Sequence, residues 1–151
     1  MFVLFFFTYV ACANAEDYEG AQALLDQMNG GRFKFPVQSN NFSNKVREAE
    51  IKPDVISYNT VISCADPETA LALIQEMRLT RRNREGVVLP NSVSFTNAIS
   101  RCRVASTSDD LESRESALDI AITLLDCAKT FEVDLNVFVY SAAIWTAEAV
   151  G

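Results

Sequence analysis

Pro53-Asp54-Val55-Ile56-Ser57-Tyr58-Asn59-Thr60-Val61-Ile62-Ser63 decides how this chain is read, because Pro90-Asn91-Ser92-Val93-Ser94-Phe95-Thr96-Asn97-Ala98-Ile99-Ser100 repeats it. In order, both keep a proline, an Asp or Asn, a serine, an aromatic, an isoleucine and a closing serine. The two prolines stand 37 residues apart. A period of this size marks helical repeats, in which one unit cannot bury its apolar face alone and stacks on a neighbour. The pattern predicts an all-α chain, an α-solenoid of antiparallel helix hairpins.

Working outward, a third copy lies at Leu135-Asn136-Val137-Phe138-Val139-Tyr140-Ser141-Ala142-Ala143-Ile144, which keeps the Asn, the aromatic and the isoleucine but not the proline. Asn136 follows Asn91 by 45 residues. Each of the first two copies is followed by a second apolar stretch, Ala70 to Met77 and Ala121 to Ala128, and Ala21 to Met28 has the same form. The unit is therefore a leading helix A, a turn and a helix B. Three to four units are expected, with incomplete ends. Residues 8–28 form a partial unit, 29–52 an insertion, 53–89 and 90–134 two units, and 135–151 a partial unit.

Local signals place the ends of the helices. Asp54, Asn91 and Asn136 stand where N-caps belong. Asp66-Pro67-Glu68 is a helix start, with a cap, a proline at the first helical position and an acid facing the dipole. Asn29-Gly30-Gly31 stops the first helix B. Tyr58, Val61 and Ile62 share one face, as do Phe95, Ala98, Ile99 and Cys102. Ala70, Leu73, Ile74 and Met77 line the next helix. In the long helix Asp110 to Thr130 the apolar stripe is read as Leu118, Ala121, Ile122 and Leu125, with Asp109 and Glu112 at capping-box spacing. Residues 32–52 read as a loop with a turn of helix near Asn44 to Glu50.

The opening Met1-Phe2-Val3-Leu4-Phe5-Phe6-Phe7-Thr8-Tyr9 leads to Ala13-Asn14-Ala15. An apolar run before an A-x-A site resembles a secretory leader, but no positive charge precedes it. The reading favoured here takes residues 8–15 as the end of a degenerate helix A. The run is too short to span a membrane, and no membrane partner is expected.

Composition limits the chemistry. The formal net charge is −7, the wrong sign for a phosphate binder. Basic residues nevertheless gather at Arg78, Arg81, Arg82 and Arg84, and again at Arg101 and Arg103. These are candidate phosphate contacts, or solvated helix ends that complement the macrodipole. With no histidine in 151 residues, the chain lacks the usual general base and the commonest zinc ligand. Cys12, Cys64, Cys102 and Cys127 form no C-x-x-C pair and read as buried free thiols. No metal, cofactor or catalytic set is expected, and the chain is read as a non-enzyme.

Lys52 to Ile62, followed by Ala70-Leu71 and Glu76-Met77, resembles a pentatricopeptide repeat. The resemblance covers most of residues 53–144 and, weakly, 8–28. It implies an α-solenoid that binds single-stranded RNA at about one base per repeat, in a chloroplast or mitochondrion. It also implies which residues read bases: Asn59 with Asn91 for a pyrimidine, Thr96 with Asn136 for adenine, and Ser141 alone. Phe6, as the mate of Asp54, lacks the needed hydrogen bonds. Val55, Ile56 and Val93 would flank bases, and Asn59 and Thr96 are expected on the polar side of helix A. The alternative is a scaffold that holds a protein partner on the same solenoid, which the acidic net charge favours.

Overall fold

The computed structural model describes residues 17–29, 34–37, 47–50, 53–79 and 88–151. Among the described residues six helices dominate: α1 (Tyr18–Asn29), α2 (Val55–Cys64), α3 (Pro67–Leu79), α4 (Ser92–Ala105), α5 (Leu111–Thr130) and α6 (Val137–Val150). The all-α expectation holds for these elements. One short ribbon joins them, β1 (Lys34–Val37) paired antiparallel with β2 (Arg47–Glu50), with Lys34 opposite Glu50 and Val37 opposite Arg47. The helical turn expected near Asn44 to Glu50 is thus replaced by strand over its described part. Pro36 fits there because a two-stranded ribbon has only edges, where a missing N–H is tolerated.

The caps explain where the helices begin. Asp54 and Asn91 each accept from the backbone N–H three residues on, and Ser57 and Ser94 return the bond to the cap N–H, so α2 and α4 open on matching capping boxes. Asn136 caps α6, but its N3 residue is Val139, so no box closes there. Asp66 opens α3, accepting from Thr69 N–H at 2.8 Å and from its hydroxyl at 2.8 Å. The cap of α5 is Asp110 rather than Asp109, and accepts from Ser113 N–H at 3.0 Å and its hydroxyl at 2.6 Å. A Schellman turn closes α5: Val133 N–H bonds Ala128 O at 3.0 Å and Glu132 N–H bonds Lys129 O at 3.1 Å. Glu132 accordingly sits at φ 56°, the left-handed region.

Among the described residues each helix packs only on its neighbour in the chain or on the helix two along. α2 meets α1, α3 and α4; α4 meets α3, α5 and α6; α3 also meets α5, and α5 meets α6. One core runs through them, including Tyr58, Ile62, Ile74, Met77, Phe95, Ile99 and Leu124. Phe95 meets Phe131 at 6.1 Å between ring centroids, tilted by 56°. The inward faces expected of α2, α3 and α4 are buried as read.

The stripe of α5 is rotated from its expected position. Ala117, Ile120, Ala121, Leu124 and Ala128 are buried, Leu118 and Leu125 are half-buried, and Ile122 is 51% exposed. From Ala117 to Ala128 this helix is mostly apolar, so periodicity admits two stripes. The alanine-rich one lets α5 come close to α3, α4 and α6 together.

Cys64, Cys102 and Cys127 are in no disulfide; Cys12 lies outside the described residues. Burial pushes the Cys102 thiol up to about 12, so it is not a thiolate at neutral pH. No described helix is long and apolar enough to cross a membrane.

Candidate nucleic-acid interface

The seam between α2 and α4 is where the repeated segments meet. The hydroxyl of Ser94 accepts from Asn91 N–H at 3.0 Å as part of its capping box. It carries one proton, and the nearest acceptor is Asn59 Oδ1 at 2.5 Å, with Asn91 Oδ1 at 3.2 Å. A residue that caps α4 therefore also reaches across to α2. Asn59 Nδ2 donates to Asn91 Oδ1 at 3.4 Å, and Asn97 Nδ2 donates to the carbonyl of Asn59 at 3.1 Å. Two helices are thus joined by a short polar network whose members fix one another's orientation.

This network floors an open pocket of about 310 Å³, lined by Val55, Ile56, Asn59, Thr60, Ser63, Asn91, Val93 and Asn97. That volume is at the small end of the range for small-molecule sites, about 300–1,000 Å³. Five expected residues come together here: Val55, Ile56, Asn59, Asn91 and Val93. Ile56 and Val93 are 53% and 50% exposed and supply apolar walls. Asn59 differs from its expected place on a polar side: it is 8% exposed, because the N-terminus of α4 covers it, and both ends of its amide are engaged. Asn91 Oδ1 is held by the cap through Val93 N–H at 3.0 Å and Ser94 N–H at 3.1 Å, while its Nδ2 makes no hydrogen bond among the described residues. Asn97 likewise gives its Nδ2 to Asn59 and keeps Oδ1. The pocket therefore retains one amide donor and one amide acceptor.

Thr60, Ser63 and Asn97 were missed in the sequence. Their signal is in the repeat itself, since Thr60 and Asn97 share one column and Ser63 with Ser100 another. The hydroxyls of Thr60 and Ser63 donate to Ile56 O at 2.9 Å and Thr60 O at 2.7 Å, so what each hydroxyl has left to offer is an acceptor.

The equivalent residues at α4 and α6 are not assembled in the same way. Thr96 spends its proton on Ser92 O at 2.7 Å within its own helix. Asn136 accepts from Val139 N–H at 3.1 Å as a cap, and Ser141 is exposed. Of the arginines, Arg101 donates from Nε at 2.8 Å to the carbonyl of Ala65, the residue that follows the last turn of α2. Arg103 is exposed at the end of α4, and Arg78 falls in the last turn of α3. Arg81, Arg82 and Arg84 lie outside the described residues, as does Phe6. Arg114, which no motif singles out, bonds Ala149 O at 2.8 Å and holds the end of α6 in the same manner.

Among the described residues no group of three or more His, Cys, Asp or Glu side chains could hold a metal. Compared with known families, curated proteins and solved structures, the chain matches none.

Proposed function

We propose that this chain is a short pentatricopeptide-like solenoid that binds single-stranded RNA, one base entering the pocket between α2 and α4. The reading is supported by one observation: five residues that the family resemblance singles out line one open pocket between the two helices that carry the repeated segments. In this reading α2, α4 and α6 are the A helices and α1, α3 and α5 the B helices. Contacts restricted to near neighbours support that assignment.

A base slots between Ile56 and Val93, with its edge toward Asn91 Nδ2 and Asn97 Oδ1. One donor beside one acceptor suits the Watson–Crick edge of a pyrimidine, and Asn59 acts by fixing Asn91 rather than by touching the base. Arg78, Arg81, Arg82, Arg84 and Arg103 supply phosphate contacts, and the role is binding rather than catalysis. Organellar RNA processing, stability or translation is the setting the family resemblance implies.

The test is binding of the full chain to short labelled RNAs of each base, with salt varied. Asn91→Asp is the informative variant: Asp caps a helix as well as Asn, so stability holds, but the pocket loses its donor and gains a negative charge. Pyrimidine RNA should bind about tenfold or more weakly to it, a change of roughly 1.4 kcal/mol or more. Arg82→Ala should weaken all RNAs alike and reduce the salt slope by about 1. If the wild type binds no RNA at low salt, the reading fails. The scaffold reading then stands in its place, favoured by the net charge of −7.

A further inference from the structure

Beside its apolar walls, the pocket between α2 and α4 carries three oxygens that the backbone fixes as acceptors. Thr60 Oγ1 donates its single proton to Ile56 O at 2.9 Å, and Ser63 Oγ donates its own to Thr60 O at 2.7 Å. Asn97 Nδ2 donates to Asn59 O at 3.1 Å, which leaves Oδ1 as the other end of that amide. A backbone carbonyl can only accept, so neither hydroxyl can turn its proton to a ligand without losing its partner, and the amide cannot flip. Among the described residues none of the three oxygens receives a hydrogen bond. All three side chains are half-buried and line the same pocket.

Their position follows from helix spacing. Thr60 lies four residues after Ile56, and Asn97 four after Val93, so each stands one turn along its helix from an apolar wall. Ser63 follows Ile56 at i+7, on the same face. The slot is thus apolar at one level and lined by acceptors at the next. A half-buried acceptor shut off from water without a donor costs free energy, and a ligand carbonyl brought against it adds repulsion. The group that fits carries N–H bonds, and more than one of them.

We infer that Thr60 and Ser63, with Asn97, make the pocket selective for the exocyclic amino group of cytosine over the carbonyl oxygen of uracil. The inference rests on the RNA-binding reading and turns on residues that the family resemblance does not single out. Cytosine presents an amino group beside a ring nitrogen that can accept from Asn91 Nδ2. Its two amino protons can serve Asn97 Oδ1 and one of the hydroxyls. Uracil presents a single ring N–H between two carbonyl oxygens. If that N–H serves Asn97 Oδ1, one oxygen can take the Asn91 donor, but the other is left against an acceptor. A site built to pair with a ligand N–H rejects the analogue that lacks it.

The full chain is titrated with labelled oligocytidylate and oligouridylate of equal length, and with the same oligomer made from pyrimidin-2-one, which has no group at position 4. Cytosine should bind about tenfold more tightly than uracil, with pyrimidin-2-one between them. Thr60→Val combined with Ser63→Ala removes both hydroxyl acceptors. Both bonds lie within α2, and back-bonding of this kind does not strengthen a helix, so the variant should fold as wild type does, which circular dichroism checks. In it the preference should shrink severalfold through weaker cytosine binding, while uracil binding holds or improves. Equal binding of the two RNAs by the wild type, a preference for uracil, or an unchanged preference in the variant overturns the inference and leaves RNA binding standing. A variant that binds both RNAs equally less well assigns the hydroxyls to the fold and also overturns it. Binding of neither RNA ends the RNA reading, and this inference with it.

Discussion

The seam between α2 and α4 and the seam between α4 and α6 are built from equivalent positions but held by different chemistry. At the first, Ser94 lies beneath Asn59, and four polar side chains tie the helices together. At the second, the position of Ser94 is taken by Val139, fully buried, and that of Asn59 by Thr96, which bonds its own helix. A hydroxyl at N3 can both close a capping box and reach the neighbouring helix, whereas a valine can only pack. The comparison teaches that one residue in the first turn of α4 or α6 decides whether the groove beside it has oriented amides or an apolar joint.

Exchanging that residue is the strongest way to break the comparison. Ser94→Val leaves Asn59 Oδ1 and the Asn91 N–H without their shared hydroxyl partner, and should cost about 2–3 kcal/mol. Equilibrium unfolding in urea measures this, and RNA binding should fall with it. The mirror change, Val139→Ser, loses buried methyl groups but lets a box close on Asn136, so its cost should be smaller, about 1–2 kcal/mol. Equal costs for the two would mean that the first network contributes nothing beyond packing.

A smaller effect is shared by α3 and α5, the helices that follow α2 and α4. Burial acts to raise the Asp66 carboxyl, but the backbone and hydroxyl bonds from Thr69 outweigh it, and the group lies below its ordinary range. The Asp110 carboxyl is likewise lowered, chiefly by the hydroxyl and N–H of Ser113. A carboxylate lowered on folding contributes stability above its unfolded value, near pH 4, and loses it as the pH falls through the folded value. Asp66→Asn and Asp110→Asn keep the cap but remove the charge. Each should melt below wild type at pH 7, and the gap should close as the pH falls through the folded value, below the ordinary carboxylate range.

The smallest expected change lies at the turn between α5 and α6. Glu132 occupies the left-handed region, which a side chain disfavours and glycine does not. Glu132→Gly should stabilise the chain by up to about 1 kcal/mol, seen as a higher urea midpoint. A loss would show that the Glu132 side chain is itself part of the α5–α6 joint.

Helix starts were legible because Asp54, Asp66, Asn91 and Asn136 act through bonds three residues long, which sequence records directly. The inward faces of α2, α3 and α4 were legible for a similar reason, since only one apolar stripe was available in each. In α5 two stripes were available, and the choice belonged to the neighbouring helices. The walls of the pocket, Ile56 and Val93, came from the family resemblance. The engagement of Asn59 did not, because it depends on how closely α4 approaches, a distance that no spacing encodes. The exposure of Tyr140 was equally hidden: its sequence matches that of buried Tyr58, and only the absence of a covering helix among the described residues separates them.

Cys102 gives this architecture a clock. Its side chain is fully enclosed, and its thiol is held near 12, so an alkylating reagent at neutral pH can reach it only while α4 is detached. Half-buried Cys127 serves as the fast internal reference. The ratio of their labelling rates would report how often the stack comes apart, and whether occupancy of the groove makes such openings rarer.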